Sequence, residues 1–196
     1  MILIVDDRNV GTVENHFLPV LQENHWTVTL GWIIGDTSKG LWERVERLNA
    51  TGLVDIQSHG FLHRYMTSGT PEEEIRQEIF GPIPVLEKHF GKRPMAFVWP
   101  GGNFTPFTIK IAREAGYQLG FTANSNGPLL FNWIPLRENE QIVQDPLMVL
   151  PRYWSSDANL ALDQAVKFAQ QASDFAAQNH DAEAAWYRSV CGEDLP

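Results

Sequence analysis

Cysteine is nearly absent from this chain. Its 196 residues include one, Cys191, so no disulfide can form within it and the fold has to rest on core packing. Basic charge is scarce as well: 15 Lys and Arg against 24 Asp and Glu leave a formal net charge of −9. That balance argues against nucleic acid or an anionic membrane as partner and suits a neutral or cationic ligand. No apolar run is long enough to cross a bilayer, and there is no low-complexity segment or internal repeat. A basic leader is missing too. Met1-Ile2-Leu3-Ile4-Val5 runs straight into an Asp pair and reads as a first core strand rather than a signal peptide. The expected location is cytoplasmic if the chain is complete, and extracytoplasmic or cell-surface if it is a domain of a longer precursor. The oligomeric state has no signature in the sequence.

What is present is an ordinary globular composition, 43% apolar and 20% charged, in a chain long enough for one sizeable core. Short apolar runs alternate with helical patterns. The strands are expected at Met1–Asp6, Thr27–Ile34, Leu53–Ser58, Met95–Trp99, Gln118–Thr122 and Leu147–Arg152. Several are almost continuously apolar, as in a parallel sheet covered on both faces. Helices are expected at Val13–Glu23, Gly40–Asn49, Pro71–His89 and Pro106–Ala115. Thr70 is the expected cap of the third, with Glu73 completing a capping box, and Gly81-Pro82 should kink or split it. Gly91 and Gly116 are expected C-terminal caps. Repeated strand–helix order implies right-handed crossovers and a parallel sheet, open or closed into a barrel, with its site at the carboxyl ends of the strands. Residues 124–146 read as a loop-rich insertion. An Ala- and Gln-rich stretch, Asp157–Asn179, reads as a terminal helix packed on the body, and the residues after it either extend that helix or fray.

Three segments at expected strand ends carry chemistry. Ile4-Val5-Asp6-Asp7 offers adjacent carboxylates. Gln57-Ser58-His59-Gly60-Phe61-Leu62-His63 offers two histidines four residues apart. Phe97-Val98-Trp99-Pro100-Gly101-Gly102-Asn103 offers a glycine-rich turn. A carboxylate and two imidazoles can hold a divalent cation and leave positions open for water and substrate, which points to metal-assisted hydrolysis. Adjacent acids suit a division of labour, in which one carboxylate binds the cation and the other takes a proton from water. Taken alone, a His-x-x-x-His pair is also a common chance feature of protein surfaces, and an Asp pair a common solvated turn. Their fall at strand ends in one sheet is the stronger signal.

The order Asp-Asp, then Ser-His-x-x-x-His, then an apolar strand ending in aromatic-Pro-x-Gly, resembles the polysaccharide deacetylases, the NodB-homology domain of carbohydrate esterase family four. The likeness continues through Ile111-Ala112-Arg113-Glu114-Ala115-Gly116-Tyr117 to Gly120-Phe121-Thr122 and covers roughly residues 1–153. It implies an α/β fold, a distorted (β/α) barrel of parallel strands with outer helices over 1–153, with 154–196 a C-terminal helical segment packed on the same domain. It implies removal of acetyl groups from a carbohydrate, an N-acetylhexosamine polymer or oligomer. By position, Asp6 would be the general base, and Asp7, His59 and His63 the ligands of one divalent transition metal, zinc first among them. Backbone amides near Trp99, Pro100 and Gly101 would steady an oxyanion, and Trp99, Phe104 and Trp154 are candidates for stacking on sugar, with a purely structural role as the alternative for each. Arg152, after the last apolar run, would orient Asp6, with a surface cation as the bland alternative.

Departures from the family pattern bear on catalysis more than on fold. The family's late histidine, the general acid for the leaving amine, has no counterpart after His89 except His180, in a polar Gln-Asn-His-Asp context. Gly60 stands where a hydroxyl residue commonly follows the first histidine, and no aromatic precedes the Asp pair. Two alternatives therefore stay open: an amidohydrolase of the same fold acting on a small non-sugar amide, and a carbohydrate-binding domain without catalysis.

Overall fold

The computed structural model describes residues 3–123, 142–150, 152 and 158–192. Apolar, β-branched runs form the five strands: β1 (Ile4–Val5), β2 (Val28–Trp32), β3 (Val54–Ser58), β4 (Ala96–Val98) and β5 (Leu119–Phe121). All neighbours pair in parallel, in the sequential order β1-β2-β3-β4-β5. The register aligns their carboxyl ends, with Val5 opposite Leu30, and Ser58 opposite both Trp32 and Phe97. Asp6 and His59 therefore leave the sheet at one rim.

Helices fill the crossovers. The first, α1, covers residues 10–24, α-helical at Val10–Thr12 and Leu18–Asn24 and wound as a π-helix over Val13–Phe17. α2 (Lys39–Ala50) starts on the Ser38 hydroxyl. The long helix expected from Pro71 is split into α3 (Glu72–Phe80) and α4 (Pro82–Phe90) at Gly81-Pro82, where proline has no N–H to give. Gly91 then ends α4 in the left-handed region. The expected cap at Thr70 does not form. Pro71 holds the N-cap position, and Thr70 Oγ1 instead accepts from the Thr67 amide at 2.9 Å, closing the turn before the helix. A full capping box stands at α5 (Pro106–Glu114), where Thr105 and Thr108 exchange hydroxyl–amide bonds. The last expected strand, 147–152, is reduced by Pro146. Pro146–Met148 is a 3₁₀ turn, and among the described residues of this stretch Leu150 alone pairs in parallel, with Phe121 of β5. α6 runs from Ala158 to Cys191, longer than the sequence pattern shows. Its Leu162 packs into the core beside Val13, Phe17 and Leu21 of α1. Most of the expected loop insertion, 124–141, lies outside the described residues.

The sheet curls. Five flat parallel strands would set β1 and β5 about 19 Å apart. Here Ile4 of β1 packs with Ala96, Val98, Phe121 and Leu150, from the far edge, in one interior cluster. The alternate residues face outward. Val28, Leu30, Val54 and Ile56 pack with α1 and α2, and Phe97 packs with Ile79, Ile111 and Tyr117. The result is the half-barrel of a distorted (β/α) fold, as its strand order leads one to expect.

Candidate metal centre

Both carboxylates and both imidazoles reach one point because the chain turns sharply after its strands. Asp7 and His63 each have a φ of 62°, a left-handed conformation that diverts the chain at the rim. The Asn9 side-chain amide holds the Asp6 carbonyl at 2.9 Å and secures the first of these turns. His59 Nε2 then stands 3.5 Å from Asp7 Oδ1, and His63 Nε2 stands 3.4 Å from the same oxygen. Two ligands each about 2.0–2.1 Å from a tetrahedral cation stand about 3.4 Å apart, so this spacing fits a zinc-like ion. One donor atom from each of Asp7, His59 and His63 lies within 4.8 Å of the others.

His59 is aimed from behind. Its Nδ1 donates to the Val98 carbonyl at 2.7 Å, which fixes the ring with Nε2 facing Asp7. The His59 Cβ packs near Gly31, where an added Cβ would stand 3.1 Å from Val98 Cγ2 and 3.4 Å from His59 Cβ. A side chain there would press on both neighbours. The two imidazoles meet edge to face, with centroids 4.6 Å apart.

Charge follows from this packing. The hydrogen bond to His59, aided by the Arg152 guanidinium and by charge on the imidazoles when they are protonated, holds the Asp7 carboxyl below the usual carboxylate range against the opposing effect of burial. Burial, with His59 alongside, pushes the His63 imidazole below its ordinary value against the pull of Asp7 and Asp6. At neutral pH Asp7 is thus anionic and His63 neutral, the forms that can ligate a cation.

Asp6 stands beside the three donors, its Oδ2 3.8 Å from His59 Nε2. Arg152 reaches it from the far edge of the sheet, Nη2 to Oδ2 at 2.7 Å, while its Nε donates to the Thr122 carbonyl at 3.3 Å. Arg152 is therefore not a surface cation; its side chain is 11% exposed.

The aromatic candidates fare differently. Trp99 is fully buried, its Nε1 donating to the Met148 carbonyl at 2.8 Å and its ring packed on Phe97 and Phe104, so no sugar can stack on it. Pro100 is buried too, and its ring lies near Gly60. Phe104 is half-buried against the same core. Gly101 opens to the surface with a φ of 60°, and the Gly102 and Asn103 amides close the turn onto the Trp99 and Pro100 carbonyls. Trp154 lies outside the described residues. His180 sits on α6, exposed beside Asp181. Two residues of the site escaped the sequence reading. Tyr65, 58% exposed, lays its ring over Gly101 and edge-on to His63, and was signalled only by its place two residues after the histidine pair. Glu78, a buried carboxylate, accepts from the loop between the histidines. Its signal was a glutamate on the apolar face of α3 between Ile75 and Ile79.

The family model of the polysaccharide deacetylases matches residues 1–120. No curated protein sequence matches the chain. Among solved structures, the Streptococcus pyogenes deacetylase PplD, in complex with acetate, superposes with a TM-score of 0.59 at 20% identity, over 78% of this chain and 62% of that one. This chain thus spans about three fifths of the streptococcal protein. IcaB from Ammonifex degensii gives 0.56 at 22% identity, covering 81% of this chain and 68% of its own. A family 4 acetyl xylan esterase from Clostridium thermocellum, in complex with a cobalt ion, gives 0.56 at 18% identity, over 87% and 83% of the respective chains. At such identities the structural likeness is one of fold. The family match over more than half of the sequence carries the conclusion: this chain belongs to the polysaccharide deacetylase family.

Proposed function

We propose that the chain is a metal-dependent hydrolase that removes acetyl groups from an acetylated carbohydrate, an N-acetylhexosamine polymer or oligomer. One observation carries the reading: Asp6, pinned by Arg152 at 2.7 Å, stands beside three donors spaced for one cation. The acetate in the PplD structure and the cobalt in the xylan esterase support the same chemistry for this fold.

Asp7, His59 and His63 would hold the ion. When bound, it would supply Lewis-acid polarisation of the acetyl carbonyl and acidification of water. Asp6 takes the proton as water adds to the carbonyl carbon. Arg152 engages Oδ2 and leaves Oδ1 to accept that proton, in a fixed rotamer. The Gly101 amide, not spent in closing the Trp99–Asn103 turn, is the candidate donor to the developing oxyanion. The C–N bond breaks when the nitrogen is protonated. With His180 exposed on α6, the proton that Asp6 has just taken is the one at hand, so a single carboxylate serves as base and then as acid.

Acetate release from N-acetylchitooligosaccharide by the zinc-loaded protein tests this. Release should stop with a chelator and fall about 10²–10⁴-fold in Asp6→Asn. No release from a broad panel of acetylated sugars by fully metallated protein sinks the proposal. Turnover of small amides alone would favour the amidohydrolase alternative. Sugar binding that Asp6→Asn leaves unchanged, without release, would favour a binding domain.

A further inference from the structure

Glu78 occupies a helix face that otherwise packs apolar side chains. Ile75 and Ile79 beside it are buried, and Glu78 itself is 1% exposed. A carboxylate in such surroundings is unfavourable unless its lone pairs are filled. The loop between the two histidines fills them: Oε2 accepts from the Phe61 amide at 2.9 Å and Oε1 from the Leu62 amide at 2.8 Å. No Lys, Arg or His is paired with it among the described residues. The other edge of the loop is held by backbone, the Gly60 and Phe61 carbonyls accepting from the Ile34 and Gly35 amides at 3.4 and 2.6 Å. Gly60 belongs to the same construction. Its φ is +86°, and a Cβ there would stand 2.5 Å from Glu78 Oε2, so the carboxylate fills the space a side chain would need.

We propose that Glu78 is a positioning residue for the metal centre. By holding the Phe61 and Leu62 amides it sets His63 at the separation from His59 and Asp7 that one cation requires. It touches neither histidine and acts through the backbone between them. The inference rests on the reading of Asp7, His59 and His63 as ligands.

Glu78→Gln keeps the size of the side chain but turns one acceptor into a donor facing an amide. The measurements are zinc affinity by competition with a chromophoric chelator, the visible spectrum of the cobalt(II)-loaded protein, and amide hydrogen exchange at Phe61 and Leu62 in metal-free protein. Glu78→Gln is expected to weaken zinc affinity about 10–100-fold. It should also alter the cobalt bands and release the Phe61 and Leu62 amides while the sheet stays protected. Glu78→Asp should recover part of the affinity. Wild-type zinc affinity in folded Glu78→Gln overturns the proposal, and so does a loss of affinity matched by loss of protection throughout the sheet. If Glu78→Gln does not fold, Glu78→Asp is held to the same two outcomes. A wild-type protein that binds neither zinc nor cobalt overturns the ligand reading and this proposal with it. That result is distinct from failure at Glu78 alone, in which wild type and variant bind alike.

Discussion

Where β1 and β3 end, the chain carries polar side chains into the mouth of the curled sheet; where β4 ends, it carries an aromatic one into the core. Asp6 continues the parity of Ile4, and His59 that of Gln57, so both face the interior side on which Ile4 and Val98 pack. Trp99 continues the parity of Phe97 and, with a φ of −67° and ψ of 122°, stays extended and joins Phe97 in the cluster under α3 and α5. Residue type alone does not decide which strand-end side chain meets a ligand. The period-two alternation of the strand decides it, together with the turn that follows.

That contrast can be broken most severely at Asp7. Asp7→Ala should abolish zinc binding and activity together, whereas Asp6→Asn, one residue earlier, should keep zinc and lose turnover. Metal stoichiometry and acetate release, measured on both variants, check this. If Asp6→Asn also loses its metal, the two aspartates do not divide the work. Arg152→Ala comes next. It frees Asp6 without touching a ligand, so kcat should fall about 10²-fold with zinc affinity unchanged. On the β4 side the expected loss is of stability. Trp99→Ala should cost about 3–5 kcal/mol in a denaturant titration. Tyr65→Ala, at an exposed position over Gly101, should leave stability unaltered and raise KM about 2–10-fold. A sugar-binding defect in a folded Trp99 variant, with Tyr65→Ala silent, would reverse the comparison.

The smallest effect lies outside both regions. Arg44 donates to Glu14 and holds its carboxyl below the usual range. A depressed carboxylate stabilises the fold above its unfolded-state value near 4.5, and that contribution is lost as pH falls through the folded value. Glu14→Gln should therefore lower the melting temperature slightly at pH 7, where the pair is intact, and converge on wild type as pH falls below about 4.5, so that the acid limb of the profile flattens.

Much of this was legible in the sequence. Apolar runs separated by helical periods gave the parallel order, and Gly81-Pro82 marked the break between α3 and α4. The meeting of Asp6, Asp7, His59 and His63 was legible because each follows a strand in one sheet. Of the two roles open to Trp99, the structural one holds, because it shares the parity of Phe97 and turns into the core. The strand expected from Leu147 was overdrawn at its start because Pro146 begins a 3₁₀ turn, and among the described residues there Leu150 alone pairs. Thr70 looked like a cap, but its hydroxyl is taken by the turn behind it. Glu78 and the Val98 carbonyl could not be assigned from spacing, since each reaches the site across the fold rather than along the chain.

The Arg152–Asp6 pair also has a bearing on the order in which the protein forms. Asp7, His59 and His63 follow β1 and β3, and Glu78 and the Val98 carbonyl that support the histidines come soon after, so that part of the site can assemble from the first half of the chain. Asp6 is fixed only when the segment after Leu150 docks beside β5 and the curl is closed. Contacts so distant in sequence carry the largest loop-closure entropy and form late. A chain still folding would thus gain its capacity for metal before it gained an oriented base, and hydrolysis would begin only when its two edges had met.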